Sequence, residues 1–272
     1  MLRRTAIRTV LFTVIGLLAM EGVACSALEA APRSPKLRIL VPAYFYPAGP
    51  GLAEWDALIA AAKDVPVVAI ANPASGPGEK VDPAYTQVLQ RAIAAGVTVV
   101  GYVSTSYAKR PIADVEADVA GWPRLYPGIQ GIFFDEQVSS AVSVDYYAAL
   151  YAAARAKVPK GLVINNPGVP CAEEYFSRPA TDVGCIFEHH EGFDLFHRPS
   201  WKRDWPRERF AGLVYRVTGR EAMQQAFRKA VRERLGYFYV TDAGGVNPWD
   251  RLPTYWKAEV AEVRRINREH QR

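Results

Sequence analysis

The sequence has few histidines and cysteines, four and three respectively among 272 residues. It has no HxxxH or HxH pair for a metal ion and no GxSxG elbow for a nucleophilic serine. His189, His190 and Glu191 are consecutive, and neighbouring residues on an extended segment do not readily face one ion. We therefore expect no metal site, no other cofactor and no serine hydrolase triad.

A clustered basic face is also missing from the central part of the chain. The net charge is +5, but many arginines lie near the two ends: Arg3, Arg4 and Arg8, and then Arg264, Arg265, Arg268 and Arg272. Nucleic-acid binding usually requires basic residues grouped on one face together with aromatic or groove-reading elements. We expect no nucleic-acid partner and interpret the C-terminal arginines as a solvated helix face.

Residues 1–31 are predicted to be a signal peptide and linker outside the fold. A basic stretch precedes the apolar run Val10–Met20, and small residues follow from Ala24 to Ala31. The run is too short to span a bilayer comfortably, so we expect a secreted or periplasmic protein without a membrane span. Cys25 follows an imperfect lipidation box, which leaves open either a lipid anchor or removal of this residue with the signal.

Apolar, β-rich segments alternate with amphipathic ones along residues 32–272, and this alternation predicts one domain. Such runs are typical of parallel strands buried on both faces. The predicted strands are Leu37–Tyr46, Val65–Asn72, Val97–Ser106, Ile129–Glu136, Leu162–Asn166, Gly184–Glu188, Gly212–Val217 and Tyr237–Thr241. The predicted helices are Gly51–Asp64, Pro83–Ala95, Ile112–Trp122, Val144–Val158, Ala172–Ser177, Arg220–Leu235 and Thr254–His270. The sixth connection, Phe193–Arg209, is predicted to be irregular.

Eight strand–connection units predict an α/β fold of the (β/α)8 TIM-barrel type. A parallel crossover needs a helix-sized segment between strands, and eight strands close a barrel. An open, doubly wound sheet is the alternative, but no glycine-rich phosphate loop follows the first strand. The active site is then expected at the C-terminal ends of the strands.

Acidic residues end two of the predicted strands. The fourth strand ends in Asp135 and Glu136, which places charge at the barrel mouth, and at most one of these two neighbours should face the cavity directly. Glu188 ends the sixth strand. Glycosidic cleavage needs two carboxylates across one pocket, so these three residues are the predicted catalytic acids. The structural alternatives are that Asp135 or Glu136 caps the following helix or pairs with an arginine, and that Glu188 forms a salt bridge to an arginine of the seventh strand such as Arg216.

Aromatic and polar residues at the strand ends would suit a sugar, because stacking and a few directed hydrogen bonds recognise sugar rings. The predicted substrate-binding residues are Tyr44, Tyr46, Tyr102, Ser104, Asn165, Tyr215, Asp242 and Trp249. In an oxidising compartment Cys171 and Cys185 could form a disulfide that closes a short loop.

The chain resembles the spherulin-4 family of secreted barrels over nearly all of its mature part. The resemblance rests on Leu40–Pro47 (LVPAYFYP), on Ala71–Pro73 with Gly76–Gly78, on Gly101–Ser106 (GYVSTS) and on Gly131–Glu136 (GIFFDE). It implies an endo-acting hydrolase of α-1,4-linked N-acetylgalactosamine or galactosamine polymers. It also implies Asp135 as the nucleophile, Glu188 as the acid/base and Glu136 in a supporting role.

Some members of that family lack demonstrated activity, so two functions remain open. We expect a monomeric glycoside hydrolase whose partner is an exopolysaccharide, such as that of a biofilm matrix. The alternative is a non-catalytic barrel that binds or structures the polysaccharide, and a lyase or deacetylase using the same cleft is a further alternative.

Overall fold

The computed structural model describes residues 36–201 and 205–270, and in this part of the chain eight parallel strands form a closed barrel. The strands are β1 (Arg38–Ala43), β2 (Val67–Ala71), β3 (Thr98–Ser104), β4 (Gly131–Asp135), β5 (Leu162–Asn165), β6 (Val183–His189), β7 (Phe210–Val214) and β8 (Tyr237–Val240). Pairing of Arg38 with Tyr237 and of Ile39 with Phe238 joins β1 to β8 and closes the barrel. The predicted (β/α)8 barrel is confirmed, and the open sheet is excluded.

Seven α-helices surround the barrel within the described residues. They are α1 (Pro50–Ala61), α2 (Pro83–Ala94), α3 (Ile112–Leu125), α4 (Val144–Lys157), α5 (Glu174–Ser177), α6 (Arg220–Arg232) and α7 (Trp256–Glu269). Between β6 and β7 the described residues contain only short 3-10 turns, among them Arg207–Arg209, in place of an α-helix. The sixth connection is therefore irregular, as its sequence predicts.

Side chains alternate between the barrel interior and the helix layer because successive residues of a strand point to opposite faces. Gly101 on β3 faces α3, where a Cβ would lie 2.2 Å from the Trp122 ring, so only glycine allows this close approach. Its neighbour Tyr102 points inward and stacks on Phe133 of β4, with the ring centroids 6.3 Å apart. The alternation of side chains along each strand thus determines which residues reach the mouth of the barrel.

The loop after β8 contacts the loop after β1 and helix α1 at the C-terminal face of the barrel. The backbone N–H of Tyr44 donates to Trp249 O at 3.2 Å, and that of Leu252 donates to Glu54 Oε2 at 3.1 Å. These contacts bring the loop after β8 beside the loop after β1.

No helix among the described residues is long and apolar enough to cross a membrane. The predicted signal peptide, the apolar run Val10–Met20 and Cys25 lie outside the described residues.

Candidate active site

Asp135, the last residue of β4, lies at the barrel mouth and is held by three donors. Its Oδ1 accepts the backbone N–H of Glu136 at 2.9 Å and the Asn166 side-chain amide at 2.8 Å, and the Tyr102 hydroxyl donates to the same carboxylate. Burial raises the pKa of Asp135, whereas the three hydrogen bonds oppose that rise. The donors thereby favour the ionised form of a carboxylate that burial disfavours.

Glu136 leaves the strand in a left-handed conformation, with φ of 57°. Non-glycine residues rarely adopt this region, and such strain is found mainly where the surrounding structure enforces it. The Glu136 carboxylate accepts a hydrogen bond of 2.5 Å from Ser104 Oγ at the end of β3. Because the chain turns after Asp135, strand alternation no longer separates the two acids, and both lie at the mouth.

Glu188 reaches the interior through a bulge in β6. Cys185 pairs with Ala211 of β7, but the next pair is Glu188 with Leu213, so β6 has one residue more than its neighbour over this stretch. Such an extra residue re-aims the side chains that follow it. Regular alternation from the inward-facing Cys185 would turn Glu188 outward, and the bulge turns it inward.

Asn166 joins the two acids. Its Nδ2 donates to Asp135 Oδ1 and also to Glu188 Oε2, and its Oδ1 accepts the backbone N–H of Gly168 at 3.0 Å, which fixes the orientation of the amide. A hydrogen bond spans about 3 Å, so two carboxylate oxygens that share one donor nitrogen lie within about 6 Å of each other. The carboxylates of β4 and β6 therefore face one small space.

Asn165, predicted from the sequence to bind substrate, points away from this space. It is fully buried, and its Nδ2 donates to Ala180 O at 3.2 Å. Asn165 is the last residue of β5 and pairs with Phe134, whereas Asn166 lies beside Asp135. The side-chain alternation shared with Asp135 separates the two asparagines: Asn166 reaches the mouth and Asn165 does not.

Glu188 has a pKa raised to about 7, first because burial disfavours its charge and second because Asp135 lies close. Hydrogen bonds from Asn166 and from the Trp249 indole oppose this rise. Among the described residues Glu188 has no ion-pair partner, and the alternative of a salt bridge to Arg216 is not formed. One of the two facing acids therefore holds its proton near neutral pH.

Tyr44 and Tyr102 line the acid pair from β1 and β3. Their ring centroids are 5.7 Å apart in an edge-on arrangement. Burial and the nearby Asp135 raise the pKa of both hydroxyls, so both remain protonated donors beside the carboxylates. The structure thus brings together five predicted residues in or directly after β1, β3 and β4: Tyr44, Tyr102, Ser104, Asp135 and Glu136.

Trp249 and Tyr215 extend the site on the side of Glu188. Their rings meet edge-on at 5.6 Å, and the Tyr215 ring continues to His190 at 5.2 Å. Because the Trp249 indole donates to Glu188, this aromatic row starts at the acid. His190 was not among the predicted substrate-binding residues.

Tyr46 and Asp242 have structural partners instead. The Tyr46 hydroxyl donates to Asp82 Oδ2 at 3.1 Å, over the loop that precedes α2. Asp242 accepts hydrogen bonds from Arg251, at 2.8 Å, and from the backbone and hydroxyl of Thr254, and these donors lower its pKa. Their position at strand ends predicted a role in binding, but Tyr46 lies away from the acids and Asp242 orders the loop after β8.

The predicted disulfide between Cys171 and Cys185 is not formed, and both side chains are buried. Cys185 points into the barrel, where its thiol donates to Phe187 O. Burial, and then the nearby charges of Glu188 and Asp135, raise the pKa of this thiol. Cys171 lies in the loop before α5, near Tyr175 of that helix. Cys185 thus lies inside the barrel, whereas Cys171 lies in the loop between β5 and α5.

The described residues contain no group of three histidine, cysteine or acidic side chains that could hold a metal ion. The rings of His189 and His190 lie 4.3 Å apart, and the Nδ1 atom of His189 contacts the backbone of Glu191. These three consecutive residues form a rim beside the acids.

Comparison with known proteins identifies the family of the chain. The family model for spherulation-specific family 4 matches residues 38–263. Spherulin-4 of Physarum polycephalum is 34% identical over 249 residues, which cover 87% of this chain and 73% of that protein.

Solved structures give the same barrel. The structure of Aspergillus clavatus Sph3 in complex with GalNAc superposes with a TM-score of 0.70 at 26% identity, covering 85% of this chain and 98% of that one. The cyclic α-maltosyl-(1→6)-maltose hydrolase of Arthrobacter globiformis has a TM-score of 0.55 at 10% identity, covering 88% and 84% of the two chains. The second likeness shows a shared fold only.

Proposed function

The chain belongs to spherulation-specific family 4 and has a glycoside hydrolase-like barrel, and from that premise we propose that it hydrolyses a polysaccharide. The proposed reaction is endo-cleavage of polymers of α-1,4-linked N-acetylgalactosamine or galactosamine. One observation carries the proposal: Asp135 and Glu188 share the amide of Asn166 at the barrel mouth. Two acids across one small space are what glycosidic cleavage requires.

The short separation supports a retaining mechanism. In retaining glycosidases the two carboxyl groups lie about 5–5.5 Å apart, whereas inverting enzymes keep them about 6.5–9.5 Å apart to admit a water. Two oxygens that share one donor nitrogen fit the shorter distance. Asp135 would attack the anomeric carbon while Glu188 gives its proton to the glycosidic oxygen, and Glu188 would then take a proton from the water that releases the sugar.

The different surroundings of the two acids support this division of roles. Asp135 is held by three donors that favour its ionised form, as a nucleophile needs. Glu188 has a pKa of about 7 and is therefore protonated in mildly acidic solution, as a proton donor needs. Glu136, tied to Ser104, would orient a sugar hydroxyl at the mouth.

The proposed substrate rests on the family and on the ligand of its relative. Sph3 was solved in complex with GalNAc, and that protein covers most of this chain. Here Tyr102 donates to Asp135, the Trp249 indole donates to Glu188 and Tyr44 lies beside both acids. Aromatic side chains with polar tips suit the recognition of an amino sugar.

The test is depolymerisation by isosteric variants that remove one charge at a time. Asp135→Asn and Glu188→Gln should each lose at least a hundredfold in the release of oligomers from N-acetylgalactosamine polymers, read by mass spectrometry. Asp114→Asn and Glu116→Gln, at two exposed acids of α3, are matched controls and should keep the parent rate. Equal rates for all five proteins would contradict the assignment.

A polysaccharide-binding barrel without turnover remains the alternative function. It predicts saturable binding of the polymer and no new reducing ends after long incubation with the parent protein. The same mass spectra decide between the two, because a binder releases no oligomers at any pH.

We also propose that the protein is exported by its N-terminal segment. The basic stretch and the apolar run Val10–Met20 support this, and Cys25 marks where a lipid could be attached. The mass of the mature protein purified from its native source tests both points. A chain that keeps residues 1–31 would contradict export by signal cleavage, and a mass without a lipid would exclude the anchor.

A further inference from the structure

A depression opens directly beside Glu188. It lies between the loop after β5 and the loop after β6, and its volume is about 350 Å³. Its lining is mostly apolar and consists of Val169, Pro170, Phe187, Leu195 and Phe196, with Glu188, His189 and Glu191 at its polar side. We call it the β5–β6 depression.

Apolar side chains in this depression are unusually exposed. Leu195 is 77% exposed and Val169 is 49% exposed. Beneath them, Phe187 and Phe196 are buried, with their rings 5.3 Å apart. An exposed apolar patch set in a concave, polar-rimmed surface is typical of a ligand site.

The depression is rigidly connected to the proposed proton donor. The backbone N–H of Glu188 donates to Gly168 O at 2.8 Å, and the N–H of Gly168 donates to Cys185 O at 3.1 Å. These two bonds tie the loop that carries Val169 to the bulge that carries Glu188. The apolar wall and the acid therefore keep one relative position.

We propose that the β5–β6 depression holds the sugar on the leaving-group side of the cleaved bond and selects a residue that is N-acetylated. This rests on the proposed function. The proton donor must contact the glycosidic oxygen, which departs with the leaving sugar, so that sugar lies on the side of Glu188. The depression is the concave surface that Glu188 itself lines.

The lining chemistry favours an acetamido group over a charged one. A methyl group gains from leaving water against Val169 and Leu195, whereas an ammonium would lose part of its hydration there. The lining contains no lysine or arginine that could pair with an acidic sugar. Glu191 is 77% exposed on its side chain, so water screens its attraction for an amine.

The expected preference is modest and measurable. Burial of one methyl group corresponds to about a fourfold change in an equilibrium or rate constant. Leu195→Ala and Val169→Ala should each lower kcat/KM for N-acetylgalactosamine oligomers about fourfold to tenfold. Val142→Ala is the matched control, since Val142 is 81% exposed on the loop after β4 and outside the depression.

A glycosyl fluoride separates the leaving side from the other side. In N-acetylgalactosamine oligomers that end in fluoride, the leaving group is too small to touch Val169 or Leu195. Turnover of the fluoride should therefore be unchanged in Leu195→Ala, while turnover of the oligosaccharide falls. An equal fall for both substrates would overturn the placement.

Binding to the Glu188→Gln variant keeps the inference separate from catalysis. Calorimetry with N-acetylgalactosamine and galactosamine oligomers of equal length should show tighter binding of the acetylated form, and adding Leu195→Ala should remove that preference. A parent that binds with this preference and cleaves nothing would refute the hydrolase and retain the selectivity. Equal affinity for both oligomers would overturn the selectivity, whatever the parent cleaves.

Discussion

At the residue scale, one amide organises the candidate site. The Nδ2 of Asn166 donates one hydrogen bond to the Asp135 carboxylate and one to the Glu188 carboxylate. Its Oδ1 accepts the backbone N–H of Gly168, which fixes the orientation of the amide. Hydrogen bonds to an ionised group lower its pKa, and here they act on both acids. Asn166 therefore opposes the rise in the pKa of Asp135 and Glu188 that burial causes.

Asn166→Ala should lower the hydrolysis rate and move the pH profile upward. A hydrogen bond to a charged group contributes about 1.5–3 kcal/mol, so we expect a loss on the order of tenfold to a hundredfold. Loss of the donor raises the pKa of both acids, and both limbs of the profile should shift to higher pH. Asn165→Ala is the control: it removes a buried bond to Ala180, so it should lower stability and leave the profile in place.

The pH dependence of hydrolysis follows from the two acids. The reaction needs Asp135 ionised and Glu188 protonated, which gives a bell-shaped curve for kcat/KM. The alkaline limb should fall near pH 7, where Glu188 loses its proton, and the acidic limb should lie above the ordinary pKa of an aspartate because burial raises that of Asp135. A rate that still rises above pH 8 would contradict Glu188 as the proton donor.

At the element scale, the bulge in β6 decides whether an acid faces the barrel interior. The bulge is held by Gly168, which has φ of 66° and bonds to both Cys185 and Glu188. An inserted residue in a strand reverses the facing of all residues after it. A regular β6 would turn Glu188 toward the helix layer, where no substrate could reach it.

Gly168→Ala should weaken both the fold and the site. A left-handed alanine costs about 1–2 kcal/mol, and the strain falls on the loop that holds Glu188. Gly96→Ala is a matched control, since Gly96 has φ of 89° and open space where a Cβ would lie. Chemical denaturation should show similar losses for the two variants, whereas only Gly168→Ala should lower hydrolysis. Equal activities would show that the loop does not position Glu188.

At the scale of the whole molecule, the candidate site lowers the free energy of unfolding. Folding buries two carboxylates side by side at the barrel mouth, and the pKa of Glu188 rises from an ordinary value near 4.5 to about 7. Between these pH values the folded protein holds a proton that the unfolded chain has released. Stability therefore falls as pH rises through this range and remains lower above it.

Glu188→Gln should consequently be more stable than the parent at pH 8, by up to about 3 kcal/mol, and nearly equal to it at pH 4. Urea unfolding at both pH values measures the difference. Glu116→Gln, at an exposed acid, should change stability by less than about 0.5 kcal/mol at either pH. A Glu188→Gln protein that is less stable than the parent at pH 8 would contradict the raised pKa.

The sequence by itself determined the barrel, the order of its strands and the identity of its three acids. Alternating apolar runs and helix-sized connections leave few other ways to bury a parallel sheet, and charge that ends a buried strand is visible in the chain. Only the tertiary structure decided which neighbours face the mouth. It selected Asn166 over Asn165, turned Glu188 inward and left no disulfide between Cys171 and Cys185.

The physical reason is that the direction in which a side chain points depends on the register between neighbouring strands. A single bulge or one left-handed residue reverses the direction of a side chain, and both arise from pairing between strands far apart in the chain. Composition and periodicity indicate how deeply a segment is buried. They contain little information on one-residue shifts in strand register. Which partners Asp242 and Tyr46 contact was likewise decided by loops that meet only in the folded barrel.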